Sequence, residues 1–174
     1  MTSRPERLTV DLSPYPNLVV IYLGMRVKAF TGLKTLLGLG PQIDKAGQAR
    51  PEGLLHWENN IIFSLWPLHL GMRWYWRDFE SLEKWARSEP HRIWWQKFVK
   101  DTGGTALWHE TYFISGGMEA IYNDRTRAVG LQAFAPVVAA RGAAFSARAR
   151  SRVQGEGPAQ PTGASERDLY EVAE

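Results

Sequence analysis

Hydrophobic and polar positions alternate in two stretches of this chain, on either side of a tryptophan-rich helical segment. From Met72 to Arg77, Trp74 and Trp76 fall on one side, and Arg73, Tyr75 and Arg77 on the other. A period of two predicts a strand with one buried face. From Thr105 to Ile114 the alternation returns: Leu107, His109, Thr111 and Phe113 oppose Ala106, Trp108, Glu110 and Tyr112. Between the strands, Phe79, Leu82, Trp85 and Ala86 recur at helical spacing behind Asp78, which stands at the position of an N-cap. Pro90 punctuates that helix. Ser88 can cap a second segment with Pro90 in its first turn, continued by His91, Trp94, Trp95 and Phe98. Gly103 and Gly104 end it.

Upstream, residues 17–30 are nearly apolar on both faces and predict a strand buried on both sides. Gly24 inside it marks a bulge or the close approach of a ligand. Thr31 is placed to cap a helix carrying Leu33, Leu36, Leu37 and Leu39, which Gly38-Leu39-Gly40-Pro41 breaks or kinks before Ile43, Ala46 and Ala49. Residues 53–64 predict another strand, with His56, Glu58, Asn60 and Ile62 on one face and Leu55, Trp57, Asn59 and Ile61 on the other. Asn59-Asn60 suggests a bulge in it. Trp66 to His69 reads as the turn into the Met72 strand. After Ile114, Ser115–Gly117 reads as a tight turn, Met118–Tyr122 as a short strand, Val129–Phe134 as a last short strand or extended arm, and 139–150 as a frayed helix.

The order is β-α-β-β-α-β, the split βαβ or ferredoxin-like α+β arrangement: a four-stranded antiparallel sheet with helices on one face. Its other face is expected to be aromatic and apolar, and a second subunit is the expected cover, giving a dimeric α+β barrel. Residues 1–15 read as a loose arm, 16–137 as the domain, and 138–174 as a basic, then Gly/Pro-rich, disordered tail.

Composition trims the chemistry. The chain has 174 residues, enough for one core, and no cysteine. Disulfides, thiol nucleophiles and Cys-bearing zinc sites are excluded. No apolar run approaches the ~20 residues of a membrane span, and no secretory leader is visible, so a cytoplasmic site away from membranes is expected. The net charge is +3, with Arg141, Arg148, Arg150 and Arg152 clustered late. Without interleaved aromatics these read as a solvated basic tail and not as a nucleic-acid surface. His-x-x-x-His, Glu-x-x-His, a P-loop, GxGxxG after a strand and Gly-x-Ser-x-Gly are all missing, so a dedicated non-haem metal, NAD, FAD or ATP has no support.

Eight tryptophans exceed what the packing of one small domain ordinarily needs, so some are expected to line a cavity. His109 and Glu110 are adjacent on a strand and must point to opposite faces. One of them is placed to face the cavity as base, acid or ligand; otherwise His109 bonds a neighbour and holds structure. His91 opens the second helical segment. His56 shares a face with Glu58 and can pair with it, while His69 reads as a loop residue.

The run Tyr75-Trp-Arg-Asp-Phe-Glu-Ser-Leu-Glu-Lys-Trp-Ala-Arg-Ser-Glu-Pro-His91 resembles the strand–helix signature of the dimeric α+β barrel superfamily, to which antibiotic-biosynthesis monooxygenases belong. With Leu107-Trp-His-Glu-Thr-Tyr-Phe, Met118-Glu-Ala-Ile-Tyr-Asn-Asp and Gly130-Leu, it resembles the fumagillin-pathway polyketide monooxygenase-like family over roughly residues 15 to 137. The resemblance implies a homodimeric oxidoreductase that oxidises an apolar or aromatic, polyketide-type small molecule, with no flavin or nicotinamide. Catalytic candidates are His109, Glu110 and His91. Trp74, Trp76, Trp108, Tyr112, Trp95 and Tyr22 are candidates for the substrate wall, with Arg73 or Arg77 as enolate stabilisers should that face of their strand turn inward. The superfamily also holds haem enzymes, among them aldoxime dehydratases and haem-degrading proteins. Haem would take His109 or His91 as its axial ligand; the position matching the haem-degrading members' histidine is near Trp95, which cannot ligate iron. A non-catalytic module binding an apolar ligand is the third reading.

Overall fold

The computed structural model describes residues 6–114, 118–123, 128–147 and 149–150. The chain divides into two compact units, Asn17–Phe113 and Met1–Pro16 with Ile114–Glu174.

The unit Asn17–Phe113 holds strands β2 (Val19–Val27), β3 (Leu54–Leu65), β4 (Leu68–Trp76) and β5 (Thr105–Phe113), and helices α1 (Phe30–Gln48), α2 (Phe79–Arg87) and α3 (His91–Phe98). The strands form one antiparallel sheet in the order β3-β4-β2-β5, the ferredoxin-like topology the pattern predicts. Three helices cover one face where two were expected. Val19, Trp74 and Trp76 of the sheet pack with Ala46 of α1 and Leu82 of α2 in the core.

Several boundaries differ from the pattern. Ala29 is the N-cap of α1, and Thr31 lies inside the helix, which continues through Pro41. Pro41 removes one rung of the ladder, and Gln42 gives its side-chain amide to the Gly38 carbonyl at 2.9 Å. Leu36 and Ala46, on either side of the break, are both buried, so tertiary burial carries the helix across a local stop signal. Strand β4 begins at Leu68, which makes His69 a strand residue. Asp78 caps α2 as expected, accepting from the Ser81 amide at 2.7 Å. The neighbouring Arg77 guanidinium, with Ser81, holds the Asp78 carboxyl at about 2. Ser88 closes α2, its hydroxyl donating to the Trp85 carbonyl at 2.7 Å, and Pro90 is the N-cap of α3.

The Asn59-Asn60 bulge is present. Register shifts between Glu58 and Ile61, where Asn60 takes φ 63°. Asparagine tolerates this left-handed conformation better than most residues. The extra residue reverses the alternation beyond it. His56 and Glu58 share a face with Ile61, and Trp57 shares the other with Ile62, as their partners Tyr75, Arg73 and Gly71 against Trp74 and Leu70 require. Gly24 admits no ligand. A Cβ there would lie 2.5 Å from the Trp108 indole, so the glycine makes room for that ring.

In the other unit, β1 (Leu8–Val10) pairs antiparallel with β6 (Val137–Ala139), and Leu8 bridges Tyr122. The arm expected at 1–15 therefore carries a strand. Gly130–Ala133 is a 3-10 turn and not a strand; Gly130 at φ 58° breaks the extended run. A second such turn, Gly142–Ala144, takes part of the expected frayed helix. Arg150 is no solvated tail residue. It is 4% exposed and donates to Glu119 at 2.6 Å and to the Phe145 carbonyl at 2.5 Å. The expected turn at 115–117, Arg148, Arg152 and the Gly/Pro-rich segment lie outside the described residues. No described helix is long and apolar enough to cross a membrane.

Candidate functional site

The face of β4 that turns to the helices is the tryptophan face. Trp74 and Trp76, with Ile21 and Leu23 of β2 and His109 and Thr111 of β5, look across at Leu82 and Trp85 of α2 and His91, Trp94 and Trp95 of α3. The space they enclose measures about 390 Å³. The indoles of Trp74, Trp76 and Trp85 form one cluster, with ring centroids 5.0 to 6.2 Å apart.

His91 stands where α2 gives way to α3. Its ring lies 4.8 Å from Trp85, and Nδ1 is 2.8 Å from the carbonyl of Ala86. A carbonyl only accepts, so Nδ1 carries the proton and Nε2 is left as the basic atom of the neutral ring. Burial lowers the pKa of His91 from its ordinary value; the Ala86 carbonyl opposes this, and the charge of His109 adds to it. His91 is therefore a neutral base in a largely apolar chamber. His109 lines the same chamber but is exposed. Among the described residues, no group of three or more His, Cys, Asp or Glu is placed to hold a metal ion.

A second cavity of about 380 Å³ adjoins the first. Leu23, Met25, Leu39, Ile43 and Met72 line both. Beyond them it runs beneath the Gly40-Pro41 kink of α1 to Asp44, Asn59 and Asn60. Asp44 accepts from Trp57 Nε1 at 3.2 Å, Asn59 Nδ2 at 2.6 Å and Gln48 Nε2 at 2.7 Å. The Trp57 bond leads in lowering its pKa, burial opposes it, and the two amides add to it. Asn59 in turn accepts from Trp74 Nε1 at 3.1 Å, so one polar chain joins the far end of the second cavity to the wall of the first.

The opposite face of the sheet is built otherwise. Arg73 donates to Glu58 and to the Tyr22 hydroxyl, each at 2.7 Å. Burial works against the Arg73 charge, but these partners outweigh it and raise its pKa. The Tyr112 hydroxyl donates to Glu110, and the Tyr22 and Tyr112 rings meet edge to face. Trp108 Nε1 donates to His69 Nε2 at 2.8 Å. His56 lies 3.8 Å from Glu58, whose nearer partner is Arg73.

The structure thus gathers His91, His109, Trp74, Trp76 and Trp95 around one cavity. Glu110, Trp108, Tyr112 and Tyr22 stand on the other face, because pairing sets them in register with Arg73 and Gly24 and not with Trp74. Neither arginine faces inward: Arg73 is tied to Glu58, and Arg77 is bound at the helix cap to Asp78 and Ser81. Sequence reasoning missed the cavity roles of Trp85 and Trp94, although their helical spacing from Leu82 and His91 was a usable signal. It also missed Asp44, which carried none.

Residues 18–131, more than half of the chain, match the family described as monooxygenase af470-like. The chain belongs to that family. Among solved structures, this monooxygenase af470-like chain is similar to the aldoxime dehydratase OxdRE in complex with butyraldoxime. The TM-score is 0.63 and the identity 20%, over 79% of this chain and 39% of that one. A second aldoxime dehydratase gives a TM-score of 0.62 and 16% identity, over 80% of this chain and 42% of that one. The chain spans about two fifths of each dehydratase, and at this identity the likeness is one of fold. A search of curated proteins finds no match.

Proposed function

We propose that this protein is a monooxygenase-like oxidoreductase that oxidises an apolar or aromatic, polyketide-type molecule of the fumagillin-pathway kind in the helix-side cavity, without flavin or nicotinamide. The observation that carries this reading is His91: a neutral imidazole with a fixed tautomer, set among tryptophans beside a second histidine. An activated methylene next to a phenol or enol gives its proton to His91 Nε2. The resulting carbanion adds dioxygen at carbon and takes the proton back as a hydroperoxide. Loss of water across the remaining C–H and the O–O bond leaves a ketone, so CH2 and O2 become C=O and H2O with no outside reductant. His109 assists as a second acid or base at the open side. Trp74, Trp76 and Trp95 exclude water and position the rings. Oxygen uptake on anthrone by the purified protein tests this: uptake with one O2 consumed per ketone formed is expected, and no uptake above the uncatalysed rate overturns it.

A haem enzyme is the second reading. Nδ1–H bonded to a carbonyl is the arrangement that orients a metal-binding histidine, so His91, and not Trp95 one helical turn further on, is the residue that would hold the iron. Haem would supply redox or Lewis-acid chemistry there. Expression with haem precursor and an absorption spectrum separate the readings: a near-stoichiometric Soret band that His91→Ala removes would favour haem.

We further infer a homodimer through the opposite face, with Trp108, Tyr22, Glu110 and Tyr112 belonging to that interface. Tyr112, 47% exposed, is the aromatic surface that supports it. Light scattering at micromolar concentration is expected to give twice the chain mass; a monomer would overturn it.

A further inference from the structure

We infer that the second cavity is a subsite for the far end of an elongated substrate, and that this end is a hydrogen-bond donor, a hydroxyl or an ammonium group. The inference rests on the reading of the first cavity as the reaction chamber. The two cavities share five apolar residues, so together they form one track across the sheet. It runs from His109 on β5 over β2 and β4 to the bulge of β3, three inter-strand spacings or roughly 14 Å.

The ends of the track differ in chemistry. One holds imidazoles among indoles. At the other, apolar walls give way to a carboxylate. Asp44 has no cationic partner among the described residues; its charge is met by three neutral donors. Oδ1 accepts twice and Oδ2 once, so Oδ2 retains capacity to accept. A ligand donor completes the set, whereas a ligand carboxylate meets like charge. The bulge serves the same end. By inserting Asn60 in a left-handed conformation, it sets two consecutive amide side chains along the cavity where a regular strand would set one.

The probes are 1-decanol, decylamine and decanoate, titrated against the full chain at neutral pH and read by tryptophan fluorescence. Decylamine and decanol are expected to saturate, and decanoate to bind at least about tenfold more weakly, the size of one charge-assisted hydrogen bond. Asp44→Asn keeps the acceptor for Trp57 and Asn59 and removes the charge, so it should bring decylamine and decanoate within about twofold of each other. Gly40→Leu is the second variant. A Cβ at Gly40 meets no atom within 4 Å, so a leucine fits the helix and can fill the cavity. It should weaken the decyl ligands by about tenfold while anthrone binding in the first cavity is unchanged. Equal affinity for the three probes, no saturable binding, or no response to Asp44→Asn would overturn the subsite. Anthrone oxidation without any Asp44 dependence of binding would leave the chamber standing and the subsite refuted. Asp44-dependent binding without oxidation would do the reverse.

Discussion

The two faces of this sheet are made from the same strands, yet they treat charge in opposite ways. On the outer face Arg73 is paired with Glu58 and Tyr22, and Glu110 with Tyr112. On the helix side His91 has a single backbone carbonyl, a histidine neighbour and a wall of indoles. Pairing stabilises a charge, and burial without a counter-ion suppresses it. Around Arg73 and Glu58 the outer face therefore fixes charge, while beside His91 the inner face can take up and release a proton. Reactivity is expected on the second.

The largest test of this contrast replaces the base. His91→Ala is expected to lower oxygen uptake by about 10²–10⁴-fold, the usual worth of a positioned general base. Glu110→Gln, on the paired face, should stay within about twofold. Equal losses would erase the distinction. Next comes packing. Trp74→Ala removes a buried indole and should cost about 3–5 kcal/mol in denaturant unfolding, against roughly 1–2 kcal/mol for Arg73→Met, which loses hydrogen bonds at a half-exposed site. An effect smaller than that of Trp74→Ala is expected at Gly24. Ala there meets the Trp108 ring and should cost about 1–3 kcal/mol, much of it recovered when Trp108→Ala is combined with it.

The smallest effect is in pH. The folded pKa of His91 lies below its unfolded value of about 6.5, so the native state binds fewer protons than the unfolded chain between the two values. Stability should be constant above that window and fall as pH drops from about 6.5 through the folded value. In His91→Gln this part of the slope should vanish, as measured by thermal unfolding across the acid range.

Much of the inner site was legible in the sequence. Alternation separated Trp74 and Trp76 from Arg73 and Tyr75, and His109 from Glu110, and the structure keeps those partitions. The sequence offered no means of telling which partition would meet the helices, since period two defines two faces and labels neither. The outer face was expected to be apolar. Its charges come from all four strands, and only the pairings Glu58 with Arg73 and Tyr22 with Glu110 reveal that they converge. Asp44 was invisible for a related reason: its partners Trp57 and Asn59 are brought to it by packing of α1 on β3, not by spacing along the chain. At Pro41 a sound local rule lost to burial on both sides of it.

The bulge at Asn60 has a consequence away from any ligand. β3 is an outer strand of the sheet: in the order β3-β4-β2-β5, no strand among the described residues pairs with its far edge. Register shifts interrupt it at three points along its length. A strand from another molecule could not follow such a broken template for more than a few residues. The irregularity that bends the cavity wall thus also guards the border of the sheet against edge-to-edge aggregation.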